Sequence, residues 1–242
     1  MPASRVASVQ AVLAQRFPDA VSGRGWTRGI VPSGVAALDS VLPEGGFQRG
    51  RIAAWSPGAG AAALLRAACL RTVSCGERAV WIDACHMVAG ACWREGPLLI
   101  RPDNPVAGLR AAEEFARSGG FGLVVLDGVD PDTTAMVRVS RAVHEGGSAL
   151  VLLTRTTSLA SLRLASRLLT GEYVWRRSPL GEPAALSAVR LRVEARASGW
   201  VASTELTIPV WRDDLRLSLE TGYPDRRGAP VPPGAASRSG WS

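Results

Sequence analysis

The stretch that decides the fold is PVAGLRAAEEFARSGGFGLVVLD, residues 105–127. Residues 105–118 are predicted to form a helix, and the pair Gly119-Gly120 ends it. The apolar run LVVLD (123–127) follows, and such a run is typical of a central strand in a parallel sheet. A helix that leads directly into a buried strand indicates an α/β protein.

The same alternation extends in both directions from this stretch. The other predicted strands are residues 51–55, 79–83, 98–101 and 149–154. The other predicted helices are residues 32–43, 61–73, 132–145 and 158–170. Strands that alternate with helices of this length predict a parallel sheet covered by helices on both faces.

The pattern changes after residue 172, where charged and apolar residues begin to alternate. Residues 189–195, 205–210 and 215–219 alternate in this way, and residues 197–200 are predicted to form a turn. This alternation predicts an antiparallel extension with one solvated face. We therefore expect a core with its β extension over residues 31–221, followed by a disordered tail at 222–242 that is rich in Pro, Gly, Arg and Ser.

An amphipathic helix is predicted near the N-terminus, in residues 4–17, before a Gly-rich linker at 21–29. Together they form a predicted N-terminal unit, residues 1–30. The helix has apolar residues at helical spacing: Val6, Val9, Val12, Leu13 and Phe17. So short a helix is marginal alone, so it packs either on its own domain or on a neighbouring protein, and the sequence leaves both open.

The composition is that of a globular protein: 242 residues, of which 47% are hydrophobic and 20% charged. No apolar run approaches the roughly 20 residues that span a bilayer, and the N-terminus lacks the layout of a signal peptide. We therefore expect a cytoplasmic protein without a membrane partner. The four cysteines form no CxxC pair, so neither a metal site nor a redox dithiol is expected.

The net charge is +7, which favours a nucleic acid or an acidic protein as a partner. All 28 basic residues are arginine. Residues 155–196 contain eight arginines and three glutamates. Arg190, Arg192 and Arg196 are predicted to point outward from one strand, forming either a solvated face or a surface for phosphates or an acidic partner.

Several segments resemble known proteins in the same order along the chain. They are VPSGVAALDSVLPEGGFQRGRIAAWSPGAG (31–60), VWIDACH (80–86) and LLIRPDNPVAGLRAAEEFARSGGFGLVVLDGVD (98–130). These segments resemble the nucleotide-binding core of the RecA recombinases, and the resemblance covers about residues 31–170. The short chain and its altered nucleotide loop are similar to the ImuA-like proteins, RecA-like accessory factors of inducible mutagenesis.

The altered loop has lost the groups that act on phosphate. A phosphate-binding loop needs glycines, a lysine and a Ser or Thr hydroxyl. The corresponding residues are Ser56, Pro57, Gly58, Ala59, Gly60, Ala61 and Ala62. Ala61 and Ala62 stand at the lysine and hydroxyl positions, so hydrolysis is not expected. The amides at the start of the next helix leave weak binding of a nucleotide or another anion open, and no cofactor is expected.

The resemblance to the RecA recombinases also implies two further substitutions and one retained residue. Cys85 stands where the family has its water-activating glutamate, and Arg155 where it has a glutamine that senses the γ-phosphate. Asp127 alone keeps the metal-associated acidic position, although a polar residue also commonly ends a buried strand. We expect no enzyme activity. The gaps after residues 127 and 154 are too short for the two mobile DNA-binding loops of RecA.

The ImuA-like resemblance implies an adaptor in translesion synthesis, with RecA and an ImuB-like relative of Y-family polymerases as partners. The candidate contact residues are Val9, Val12, Leu13 and Phe17 in the N-terminal helix, and Arg226, Arg227, Arg238 and Trp241 in the tail. Three alternatives remain open: a residual ATPase, a DNA-binding module that uses the basic face, and an inhibitor of cell division.

Overall fold

The computed structural model describes residues 29–88, 93, 96–155, 159–177, 179–181 and 183–210. The predicted N-terminal helix (4–17), the strand at 215–219 and the tail at 222–242 lie outside these residues. The proposed domain boundaries therefore stay predictions. Within the described ranges, no helix combines the length and the apolar character needed to cross a membrane.

Most of the strands belong to one eight-stranded sheet. A separate antiparallel pair, β1 (Ile30–Val31) and β2 (Phe47–Gln48), precedes it. The sheet contains β3 (Ile52–Trp55), β4 (Ala79–Asp83), β5 (Leu98–Ile100), β6 (Leu123–Asp127), β7 (Ala149–Leu153), β8 (Leu162–Arg177), β9 (Pro183–Ala197) and β10 (Trp200–Pro209). Their order is β10-β9-β8-β3-β7-β6-β4-β5, and the six strands from β8 to β5 are mutually parallel.

Helices flank the parallel strands. They are α1 (Ala36–Asp39), α2 (Ala61–Ser74), α3 (Pro105–Arg117) and α4 (Thr133–Gly146). Apolar residues of α1 and α2 pack with Trp55 and Trp81 in one core cluster, whereas those of α3 and α4 pack with Ile82 in a second. The predicted α/β sheet with helices on both faces is therefore confirmed.

Local sequence explains where α3 and α4 begin. The side chain of Asn104 accepts a hydrogen bond from the Ala107 amide at 2.9 Å, and Pro105 occupies the first turn of α3. Asp132 accepts a bond from the Ala135 amide at 2.7 Å and caps α4 in the same way. The predicted helix at 32–43 is shorter in the structure: α1 spans four residues and a 3-10 turn (Pro43–Gly45) follows it.

The predicted helix at 158–170 is wrong, because these residues lead into the 16-residue strand β8. The burial alternates, with Leu162 and Leu164 buried and Arg163 and Ala165 exposed, as in a strand with one covered face. Leucine spacing alone fits either structure, and pairing with β3 and β9 decides it. The segment between β7 and β8 therefore spans residues 154–161, longer than the four or five residues expected.

The C-terminal part is the predicted antiparallel extension. β9 pairs with β8 along one edge and with β10 along the other, and the turn between β9 and β10 falls at the predicted residues. β10 pairs with β9 only as far as Ala188. We call the outer part of the β8–β9 hairpin (169–177, 179–181 and 183–188) the distal ribbon; from Trp175 and Leu186 outward, β8 and β9 continue without pairing to β10.

Gly146, at the end of α4, offers a direct test of the close packing between α4 and α3. A Cβ atom on Gly146 would lie 1.8 Å from the carbonyl oxygen of Ala116 in α3. Because that oxygen belongs to the backbone, Gly146→Ala must force the two helices apart. We expect a loss of about 2–3 kcal/mol in the free energy of unfolding, measured by urea denaturation.

The matched control is Gly171→Ala in the distal ribbon, where an added Cβ would meet no atom within 4 Å. Gly171 has a φ of 89°, so that variant measures only the cost of a left-handed backbone conformation. An equal or smaller loss for Gly146→Ala would show that α3 and α4 are not in close contact at this point.

Candidate functional site

The loop between β3 and α2 lies at the carboxyl edge of the parallel sheet, where ligand sites of α/β proteins usually occur. Its backbone follows a tight path, with positive φ angles of 116° at Gly58, 40° at Ala59 and 79° at Gly60. The loop is tied to β8, since the amide of Ser56 donates to the carbonyl of Leu164 at 2.9 Å. Ser56, Pro57 and Gly58 are exposed, so the glycines shape a turn at the surface.

Apolar side chains cover the start of α2. A Cβ atom on Gly60 would lie 2.8 Å from Cδ1 of Leu191 and 3.1 Å from Cδ1 of Ile208. The amide of Ala61 is already occupied, because it donates to the carbonyl of Gly58 at 2.9 Å. A helix N-terminus attracts anions through free amides that face open space. Here β9 and β10 bring methyl groups against that end of the helix.

The groups that would stabilise a nucleotide phosphate are replaced around this loop. Ala61 is fully buried, and Ala62 exposes only a methyl group. Arg66, the next cation along α2, has its guanidinium 5.0 Å from the ring centroid of Trp93. The residues present therefore do not fit magnesium and a nucleotide triphosphate, since the cation, the hydroxyl and the open helix end are each replaced.

Two acidic strand ends and one thiol meet at the same edge of the sheet, at the ends of β4 and β6. The register pairs Asp83 of β4 with Asp127 of β6, and the side-chain ligand atoms of Asp83, Cys85 and Asp127 lie within 4.8 Å of one another. Asp83 is buried and serves a structural role. Its carboxylate accepts from the amides of Met87 at 3.1 Å and Val88 at 3.0 Å and from the Cys85 thiol at 3.4 Å.

The two carboxylates set the chemistry of this cluster. Burial and the charge of Asp83 raise the pKa of Asp127, while the neighbouring Cys85 thiol and Trp81 side chain lower it in part. Partial desolvation, then the charge of Asp127, raise the pKa of Cys85 to about 11. The thiol is therefore protonated near neutral pH and is poorly suited to act as a general base.

Arg155 and the basic face occupy separate places in the structure. The amide of Arg155 donates to Asp130 at 3.0 Å just after β7, and its side chain lies at an exposed position. Arg190, Arg192 and Arg196 do point outward from β9, as predicted. All three form ion pairs: Arg190 with Glu172 and Glu205, Arg192 with Glu205, and Arg196 with Glu194 at 2.9 Å.

The remaining predicted contact residues lie outside the described part of the chain. They are Val9, Val12, Leu13, Phe17, Arg226, Arg227, Arg238 and Trp241.

Sequence reasoning also missed a surface that the structure contains. The distal ribbon exposes Tyr173, Val174, Trp175 and Leu180. Its signal is the aromatic pair within EYVWRR (172–177), which lies between the predicted helix at 158–170 and the predicted strand at 189–195 and belongs to no predicted element.

The fold defines the class of protein: an α/β protein with a mainly parallel sheet, an antiparallel C-terminal hairpin and a glycine-containing loop after β3. No protein-family model matches the chain, and no curated protein is significantly similar to it in sequence. The functional assignment therefore depends on the residues themselves.

The reactivity of the Cys85 thiol measures how strongly the neighbouring carboxylates of Asp83 and Asp127 affect its pKa. Because its pKa is about 11, roughly one thiol in a thousand is ionised at pH 8. Asp127→Asn removes a negative charge that opposes the thiolate, so the pKa falls and alkylation by iodoacetamide at pH 8 becomes severalfold faster. Peptide mapping measures the rate against pH.

Cys75, exposed at the end of α2, is the internal control in the same sample. Its alkylation rate should not change between the two proteins. An unchanged rate at Cys85 in the variant would show that Asp127 does not act on the thiol.

Proposed function

We propose that the chain is a RecA-like adaptor without ATPase activity. In this proposal it works in damage-induced translesion synthesis and binds RecA, an ImuB-like polymerase relative, or both. The observation that carries the proposal is the altered nucleotide loop, in which alanines replace the catalytic groups and Leu191 and Ile208 pack against Gly60. In this proposal, a protein with such a loop acts by binding other proteins through its shape and surface, and not by catalysis.

The positions of the motifs support the RecA-like part of the proposal. β3, which leads into the loop, is flanked by β7 and β8, and β6 with Asp127 is the next strand beyond β7. The loop, Cys85 and Asp127 therefore lie along the same edge of the sheet, as the resemblance to RecA implies. Their common location favours a nucleotide site that has been lost over an unrelated loop.

The distal ribbon supports the adaptor part. Trp175 is 50% exposed and Leu180 is 88% exposed, and Arg176 and Arg177 lie between them. Tryptophan, tyrosine and arginine carry much of the binding energy at protein interfaces. A projecting ribbon of this composition is a suitable anchor for a partner protein. The predicted N-terminal helix (4–17) offers a second contact in the proposal, toward RecA.

Binding assays with the full chain test the proposal. We expect it to bind RecA or the ImuB-like partner in a pull-down, and Trp175→Ser to weaken that binding by roughly tenfold or more through loss of an aromatic anchor. Val137→Ser is the matched control, since Val137 is 56% exposed on α4, outside the ribbon. Isothermal titration measures both affinities.

Three results would contradict this function. One is failure to bind either partner, and another is specific binding to the tubulin-like division protein instead. The third is ATP turnover that Asp127→Ala abolishes, since an active enzyme needs the groups that the loop lacks.

A further inference from the structure

Two pairs of arginines face each other across β8 and β9. The register places Arg163 opposite Arg196 and Arg167 opposite Arg192. Leu162, Leu164, Leu191 and Val193 are buried on the other face of these strands, so all four arginines project from the same outer face. These four residues are the arginine ladder. Within the described part of the chain, this face is not covered by a helix, and Arg163, Arg167 and Arg196 are exposed.

Fold stability does not explain this arrangement. Like charges directly opposite each other on neighbouring strands, at Cβ separations of about 4.5–5.5 Å, destabilise a sheet. Glutamates offset part of the repulsion, since Glu205 pairs with Arg192 and Glu194 pairs with Arg196 at 2.9 Å. Arg163 forms no ion pair with any carboxylate of the described residues. The face has an excess of positive charge at a cost to the sheet.

The composition of the face indicates what balances that charge. The residues between and beside the arginines include few large apolar side chains: Ala165, Val201 and Ser203 lie among them together with Glu194 and Glu205. A protein interface depends on aromatic or large aliphatic anchors, and the most exposed of these on the β8–β9 hairpin lie on the distal ribbon. A ligand of this face therefore gains its affinity from charge. Planar guanidinium groups in pairs suit phosphate, because each offers a fork of N–H donors.

We propose that the arginine ladder binds the phosphate backbone of a nucleic acid. Arg163 and Arg167 lie four residues apart on β8, a spacing of about 13 Å along the strand. Each faces an arginine of β9, so the face presents two positive rows across the path of one strand of phosphates. This site is separate from the altered loop and from the distal ribbon, and it does not depend on the adaptor function.

The assignment also changes which arginines matter. The predicted basic face consisted of Arg190, Arg192 and Arg196, whose charges glutamates partly neutralise. The new contributors are Arg163 and Arg167, which the predicted helix at 158–170 would have separated from β9. Only the pairing of β8 with β9 brings the four side chains onto one face.

Fluorescence anisotropy of the full chain with a labelled DNA strand of about 20 nucleotides, and with its duplex, tests this site. We expect R163Q/R167Q to weaken binding to DNA by roughly tenfold at moderate salt. The slope of log affinity against log salt should fall by about 0.7 for each arginine removed from a single-strand contact. R110Q/R138Q removes the same charge from exposed positions on α3 and α4 and should leave affinity almost unchanged.

A thermal melt separates binding from folding. Because the ladder repels itself, R163Q/R167Q should melt at the same temperature as the wild type or higher. If the double variant unfolds, R163Q and R167Q are measured singly, each with half of the expected change in slope. The proposal is overturned if the wild type binds polyglutamate but no DNA, if the control loses as much affinity as the ladder variant, or if neither single variant alters the slope.

Discussion

Strand β8 is the element on which the rest of the structure depends, because it pairs in parallel with β3 and antiparallel with β9. Its first residues, Leu162 and Leu164, are buried against the same core as Trp55 and α2. The strand therefore joins the parallel sheet and the C-terminal extension into one hydrophobic core. A helix at this position would leave the edges of β3 and β9 that now pair with β8 without hydrogen-bond partners.

The same pairing explains the apolar packing around the loop between β3 and α2. Once β9 follows β8, the side chain of Leu191 points toward α2, and β10 adds Ile208 beside it. Methyl groups then occupy the space next to Gly60, where a phosphate would need polar donors. The alanines at positions 61 and 62 and this apolar contact are consistent with each other, since a helix end without a charged or hydroxyl side chain tolerates apolar neighbours that a phosphate site would not.

Much of the parallel core could be predicted from the sequence, because apolar runs such as LVVLD and caps such as Asn104 and Asp132 signal their structure locally. The path of β8 could not, since leucines in LRLASRLL fit both periodicities and the deciding contacts lie on β3 and β9. The residues of the candidate site divide in the same way, into those that the sequence reveals and those that only strand pairing reveals. The missing lysine is visible in the chain, whereas the packing of Leu191 and the facing arginines depend on strand register.

Register also determines what the two faces of the extension do. Along β9, residues with odd numbers from Val189 to Ala195 are buried in the core cluster that also contains residues of α2, and the intervening residues point outward. Because a strand alternates strictly, an inner face that closes the helix end forces Arg192 and Arg196 onto the opposite face. Shifting β9 by one residue would expose Leu191 and bury Arg192, which needs a partner for its charge. The apolar packing against Gly60 and the outward position of the arginines therefore both follow from the register of β9, and neither can change without the other.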